Sequence, residues 1–380
     1  MMDETIQPSP LRALHEELKA QMEGFDGYEL PAQYPSGAEV EHLHTRKQAG
    51  LFDISFLGQV RVRSKEGNLA IVAEALEQLL PTNVIGLEKN RMLYGLLTTD
   101  QGGIRDDLVI SRQEEDFLLI LNGRNRESNA DYIENVLGED CKVSREFDRA
   151  MVSLQGPEAA DVLGRVLGVN AISEMRYRDC HDMPWENGTI TVARFGYTGM
   201  DGFDICLPAN LAEVFARRLL EHPEVEPAGM LARNTLRLEA GLCLYGTDID
   251  KTTSPVEAAL ANNIAQCRRP GGERAGGYPG AETIAGQLEH GIYRQRVGLK
   301  PRDETSLPNG AEIFSDAEGQ DRIGRVTSSC LSPTLRVMIG MGYVTPAHAE
   351  VDSQIFAKMD DGTMQPITVA ALPFVPFAER

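Results

Sequence analysis

One stretch constrains the fold more than any other: Tyr94-Gly95-Leu96-Leu97-Thr98-Thr99-Asp100-Gln101-Gly102-Gly103-Ile104-Arg105-Asp106-Asp107. An apolar run from Met92 to Leu97 enters a turn at Asp100-Gln101-Gly102-Gly103, and a second run, Leu108-Val109-Ile110, leaves it. Two strand-like runs around a glycine pair that tolerates positive φ predict a β-hairpin. Neighbouring strand side chains point to opposite faces, so only one of Asp106 and Asp107 can look into a given pocket. Taken alone, an acidic pair beside a turn reads as a solvated hairpin end. A functional reading needs the rest of the chain.

At 380 residues the chain is long enough for two or three domains with sizeable cores. No run approaches the length of a membrane span, and the polar segment from Met1 to Pro10 lacks the apolar core of a secretory signal. The six cysteines are scattered, with no CxxC pair. That predicts small core thiols in a reducing cytoplasm rather than a disulfide framework or a zinc cage. A net charge of -20 argues against broad nucleic-acid binding, and any anionic ligand must meet a local basic patch.

Leu11, Leu14, Leu18 and Met22, following Ser9-Pro10, predict a helix over residues 9–22. A second helix is expected over 38–49. Its His42 and His44 would face two directions, so a shared metal is not expected. Leu51 to Val62 reads as one strand with a glycine break, and Ala70 to Leu80 as a helix stopped by Pro81. Asp116 to Asn122 reads as a short buried strand whose terminal Asn122 is either a pocket wall or a turn former. A helix follows over 125–137. The strand-then-helix order returns over 149–167, a hint of a duplicated module. The mixture predicts an α+β fold.

Gly196, Gly199 and Gly202 surround Tyr197-Thr198 and predict a tight loop where a ligand can approach the backbone. Beyond it Phe203, Ile205 and Leu207 alternate with Asp204 and Cys206. Asp204 therefore faces either water or a cleft, where its carboxylate can accept two N–H donors from a heterocycle. A helix over 228–243 would carry Arg233, Arg237 and Ala240 on one stripe. An acidic loop, Tyr245 to Glu257, follows.

Five segments, read together and in order, are less generic. They are Leu51-Phe52-Asp53-Ile54-Ser55, Asp100 to Leu108, Gly196-Tyr197-Thr198-Gly199, Leu236 to Gly246 and Pro373-Phe374-Val375-Pro376. From about residue 10 to its C-terminus the chain resembles the aminomethyltransferase (T-protein) family of the glycine cleavage system. The resemblance implies a three-domain cloverleaf around a central folate channel. Two related α+β (ferredoxin-like) domains, interleaved in sequence, precede a C-terminal β-rich, barrel or jelly-roll-like domain. The implied boundaries are 1–55 with 146–270 for the first domain, 56–145 for the second and 284–380 for the third.

The resemblance also implies a reaction. An aminomethyl group on the lipoyl arm of the H-protein passes its carbon to tetrahydrofolate, giving 5,10-methylenetetrahydrofolate, ammonia and dihydrolipoyl H-protein. By the same resemblance Asp107 is the catalytic carboxylate, and Tyr94, Asn122 and Tyr197 line the folate channel. Arg233 holds the acidic end of folate, and no metal is involved. Asp204 stands where the family usually has glutamate, which pairs with the amino and ring N–H groups of the pterin. The chain also departs from the family at Met200, at Phe56-Leu57 and at its C-terminus, Phe377 to Arg380, which lacks a terminal tyrosine. Arg268, Arg269, Arg274, Arg294 and Arg296 are expected to form a docking patch for the H-protein, with an ordinary solvated linker as the alternative. Two other functions fit related chains: a folate-dependent demethylase of small methyl donors, and a non-catalytic folate binder. Retention of both Asp106 and Asp107 argues against the second.

Overall fold

A computed structural model describes residues 6–168, 171–302 and 306–377. The hairpin forms as expected. Strand Arg91–Thr98 pairs antiparallel with Ile104–Arg112, with Leu96 opposite Asp107 and Leu97 opposite Asp106. Gly102 has φ +84°, and a Cβ on Gly103 would lie 1.8 Å from the Lys251 carbonyl oxygen. The first glycine serves the turn and the second lets another loop pack against it.

This hairpin begins a five-stranded antiparallel sheet, which continues through Phe117–Leu121, Gly58–Ser64 and Cys141–Arg145. One face packs against helices Leu69–Glu77 and Arg126–Leu137, burying Val60, Leu76, Leu108, Ile110, Leu119 and Ile133. Asn68 caps the first of these helices by accepting a hydrogen bond from the Ala70 amide. A six-stranded sheet runs Cys180–Trp185, Gly188–Ala193, Gly202–Pro208, Arg149–Gln155, Ala49–Asp53, Val225–Pro227. Its outer face packs on helices Ala159–Leu167 and Ala209–Leu220 through Val152, Leu154, Phe203, Ile205 and Phe215. The inner faces of the two sheets meet: Phe52, Ile54, Met151 and Cys206 join Leu118 and Leu236 in one cluster. Strands Gln295–Pro301 to Met364–Ala370 close a six-stranded barrel. No described helix is long and apolar enough to cross a membrane.

Three expectations need correcting. The run from Leu51 to Val62 is two strands in different sheets, Ala49–Asp53 and Gly58–Ser64, with the chain crossing between sheets at residues 54–57. The N-terminal helix spans only Arg12–Glu17. Lys19 adopts φ +57°, which breaks the helix, and Met22 lies in a strand, Gln21–Phe25, paired with Tyr28–Gln33. The short helix is held instead by buried Asp53, which accepts from Ser9 Oγ and meets His15 Nε2 at 2.9 Å. The helix expected over 228–243 spans only Met230–Glu239, because Gly241 turns the chain at φ +66°. Residues 1–5, within the polar N-terminal segment, and Ala378-Glu379-Arg380 lie outside the described residues.

Candidate active site

The inner faces of the two sheets enclose a cavity of about 490 Å³, within the size range of small-molecule sites. Met92, Asp107, Val109, Ser111, Leu118 and Ile120 form one wall. Met151, Cys180, Thr191, Ala193, Asp204 and Cys206 form the other. Tyr197, Arg233 and Asn234 contribute to its lining, and Leu231, Leu244 and Arg124 are exposed where it meets solvent.

Strand alternation separates the acidic pair. Asp106 is fully buried on the helix side, where Asn129 Nδ2 donates to it. Asp107 faces the cavity. Tyr94 OH donates to Asp107 Oδ2 at 2.9 Å, and Asn122 Nδ2 donates to Oδ1 at 2.7 Å. The same amide also reaches Asp106 Oδ1 at 2.7 Å and the Asp107 carbonyl at 3.0 Å. Asn122 directly follows strand Phe117–Leu121, so the end of one strand fixes a carboxylate on the next. Burial raises the Asp107 pKa above the usual carboxylate range, against the pull of Tyr94 and Asn122. Burial, then the charge of Asp107, pushes Asp106 up to about 8. A half-buried carboxylate with a raised pKa and two orienting donors is equipped to take up a proton.

The opposite wall carries Asp204. Phe203, Ile205 and Leu207 go to the outer core, so Asp204 and Cys206 face inward. Ser153 Oγ donates to Asp204 Oδ1 at 2.5 Å. Burial pushes Asp204 up to about 6, opposed by the Ser153 bond and the nearby charge of Arg233. The Arg233 guanidinium lies over the Tyr197 ring at 4.4 Å, and burial lowers its pKa. Among the described residues no carboxylate lies within salt-bridge distance of it, unlike Arg237, which meets Asp248 at 2.6 Å. A largely desolvated guanidinium without a protein carboxylate is suited to an anionic ligand. Tyr197 OH donates to the Cys243 carbonyl.

All six candidate side chains, Tyr94, Asp107, Asn122, Tyr197, Asp204 and Arg233, therefore line one cavity. The glycine loop plays a different part from the one expected. A Cβ on Gly196 would lie 1.9 Å from Gln155 Oε1, and one on Gly202 would lie 2.6 Å from Gln155 Cδ. These two glycines make room for the Gln155 side chain. Residues 56 and 57 line the cavity as Phe56 and Leu57, and Met200 is buried.

Comparison with known proteins adds an independent finding. Residues 11–266 match the GCVT N-terminal domain, and residues 294–376 match the glycine cleavage T-protein C-terminal barrel domain. The mitochondrial aminomethyltransferase of Gallus gallus is 36% identical over 386 residues, covering 98% of this chain and 93% of that one. The aminomethyltransferase of Rubrobacter xylanophilus is 35% identical over 346 residues, covering 90% and 88%. The crystal structure of glycine cleavage system aminomethyltransferase T from Bartonella henselae matches with a TM-score of 0.89 at 36% identity, over 98% of this chain and 99% of that one.

The chain belongs to the glycine cleavage T-protein family.

Within this T-protein family member the arginine patch does not form. Arg268 is buried and donates to the Glu77 carbonyl at 2.7 Å, and its guanidinium pairs with the Glu77 carboxylate at 3.2 Å. Arg274 also pairs with Glu77, at 3.0 Å. Arg269 caps the carbonyls of Ile264 and Ala261, Arg294 pairs with Glu257, and buried Arg296 donates to the Ala258 and Gly241 carbonyls. Internal partners engage all five, so they are neither a patch nor a solvated linker. His42 is buried between Thr235 and Thr334, while His44 meets the Glu224 carbonyl. Among the described residues no cluster of three or more His, Cys, Asp or Glu side chains is arranged to hold a metal. Sequence reasoning missed Ser153 and Gln155. Both precede a Gly-Pro turn, and their spacings of two and four from Met151 put them on the inward face.

Proposed function

We infer that the cavity binds tetrahydrofolate and receives the aminomethyl-lipoyl arm of an H-protein. The chain is an aminomethyltransferase of the glycine cleavage system. In the proposed reaction the N5 amine of the pterin attacks the methylene carbon, and the bond from that carbon to the lipoyl sulfur breaks. Closure through N10 then expels ammonia. The two folate N–H protons are redistributed to the thiol and the departing amine, so 5,10-methylenetetrahydrofolate, ammonia and dihydrolipoyl H-protein account for every atom.

Asp107 is assigned to orient the reduced amine and take up its proton as the carbon–nitrogen bond forms. Tyr94 and Asn122 hold that carboxylate in place. Asp204 is assigned to the amino and ring N–H groups of the pterin, Tyr197 to the channel wall and Arg233 to the glutamate end of folate. The observation that carries this reading is the placement of two inward carboxylates on opposite cavity walls, with Arg233 paired to no carboxylate among the described residues. We further propose the domain division 1–55 with 146–270, 56–145 and 284–380, so that the cavity lies between the first two units. The six free thiols support a reducing compartment, which we take to be the cytoplasm.

The test is formation of methylenetetrahydrofolate from tetrahydrofolate with aminomethylated H-protein, beside parallel assays with small sulfonium and methoxy donors. Turnover with loaded H-protein alone supports the assignment. Turnover with a small methyl donor and none with H-protein makes the chain a demethylase instead.

A further inference from the structure

Asp204 is the one inward carboxylate that the resemblance to the family does not supply unchanged. Its arm is a methylene shorter than that of the usual glutamate. Its surroundings are also unusually definite. Strand register sets Ser153 directly opposite Asp204 on one side and Ala193 on the other. Ser153 Oγ donates its single proton to Asp204 Oδ1 at 2.5 Å and accepts from Gln155 Nε2 at 3.0 Å. Gln155 is fixed in turn: Nε2 also donates to the Phe195 carbonyl at 3.0 Å, and Oε1 accepts from Thr198 Oγ1 at 2.9 Å. Gly196 and Gly202 leave the space this amide fills. Among the described residues no hydrogen bond reaches Asp204 Oδ2.

Thr198, Gln155 and Ser153 thus form a directional relay. Each hydroxyl proton has one acceptor, so the relay cannot reverse without breaking a buried hydrogen bond. It ends on Oδ1 and leaves Oδ2 for a ligand.

We propose that Ser153 is a positioning residue that sets folate affinity in this chain: by holding Asp204 Oδ1 it aims Oδ2, alone, at the N–H edge of the heterocycle. This rests on the assignment of the cavity to tetrahydrofolate. The pairing is local to two facing strand positions, so the serine hydroxyl fixes the orientation of the short carboxylate arm. The groups acting electrostatically on Asp204 include Arg233, from helix Met230–Glu239, which favours its charged form; Cys206, on its own strand, is a buried thiol held neutral. The Ser153 bond also favours the charged form, so losing it raises the pH below which Asp204 becomes protonated and stops accepting two donors.

The test uses full-length wild type, Ser153→Ala, Asp204→Glu and the double variant. Tetrahydrofolate binding is measured by calorimetry from acidic to mildly alkaline pH, alongside KM and kcat with aminomethylated H-protein. Ser153→Ala should weaken binding about tenfold, raise KM more than it lowers kcat, and move the acid limb of binding to higher pH. Asp204→Glu should gain more affinity in the Ser153→Ala background than in wild type, since the longer arm no longer needs the hydroxyl. Should Ser153→Ala not fold, Ser153→Cys, a near-isostere with a weak donor, should show the same limb shift. Tight wild-type binding with an unmoved acid limb in the serine variants, or strict additivity in the cycle, overturns the inference alone. Failure of wild type to bind tetrahydrofolate overturns the folate assignment and the inference with it.

Discussion

The two walls of the cavity each present one aspartate, and the two are held differently. Asp107 sits on a hairpin with a second carboxylate, Asp106, one residue away, and neutral donors orient it. Asp204 sits on a strand of the other sheet, under a serine hydroxyl and within the field of Arg233. Burial raises both pKa values. The surroundings then separate their roles. Burial, with only neutral donors against it, readies Asp107 to gain a proton, whereas a neighbouring cation helps Asp204 keep its charge and accept hydrogen bonds. The first arrangement suits chemistry and the second suits recognition.

The sharpest way to break this contrast is to neutralise each carboxylate in turn. Asp107→Asn should lower kcat by about a thousandfold, with a far smaller change in tetrahydrofolate affinity by calorimetry. An affinity loss equal to the kcat loss would erase the division of labour. Asp204→Asn should reverse the pattern, weakening tetrahydrofolate binding by about ten- to a hundredfold and lowering kcat at saturation much less. The contrast fails if kcat falls as it does for Asp107→Asn.

A smaller effect concerns pH. In the proposed reaction Asp107 must be ionised, so activity should fall as pH drops through the pKa of that carboxylate. Tyr94 donates to the carboxylate and holds its pKa down. Tyr94→Phe should therefore raise that pKa and move the acid limb of kcat to higher pH, with a few-fold loss of kcat. A limb that stays still or moves to lower pH assigns the titration to another group. The smallest effect belongs to Arg274, whose partners are Glu77 and Asn83. Arg274→Ala should leave H-protein-dependent turnover and its salt dependence unchanged. A steep loss of turnover would restore the docking patch that the internal ion pairs removed.

Much of the Asp107 wall was legible before any coordinates. The Asp100 to Gly103 turn predicts the hairpin, and alternation alone says that one of Asp106 and Asp107 must leave the pocket. The Asp204 wall was half legible. Its alternation left two faces open, and only the packing of Phe203, Ile205 and Leu207 on helices Ala159–Leu167 and Ala209–Leu220 decides between them. Ser153 and Gln155 were illegible, because their importance arises from pairing with a strand fifty residues later. The same limit explains the misread segments. Leu11 to Met22 keeps helical spacing, but residues 21–25 gain more by pairing with Tyr28–Gln33 than by extending a helix past Lys19. Arg268 and Arg274 looked like part of a surface patch because Glu77, the partner of both, lies nearly two hundred residues earlier.

The central claim is that Asp107 faces the reduced amine while Asp204 faces the N–H edge of the ring. A crystal structure with tetrahydrofolate bound tests it most directly. An Asp107 oxygen should lie within hydrogen-bond reach of N5 or N10, and Asp204 Oδ2 should accept from the ring N–H or amino group. A ring bound in the opposite sense, or bound away from Asp107 altogether, would contradict it.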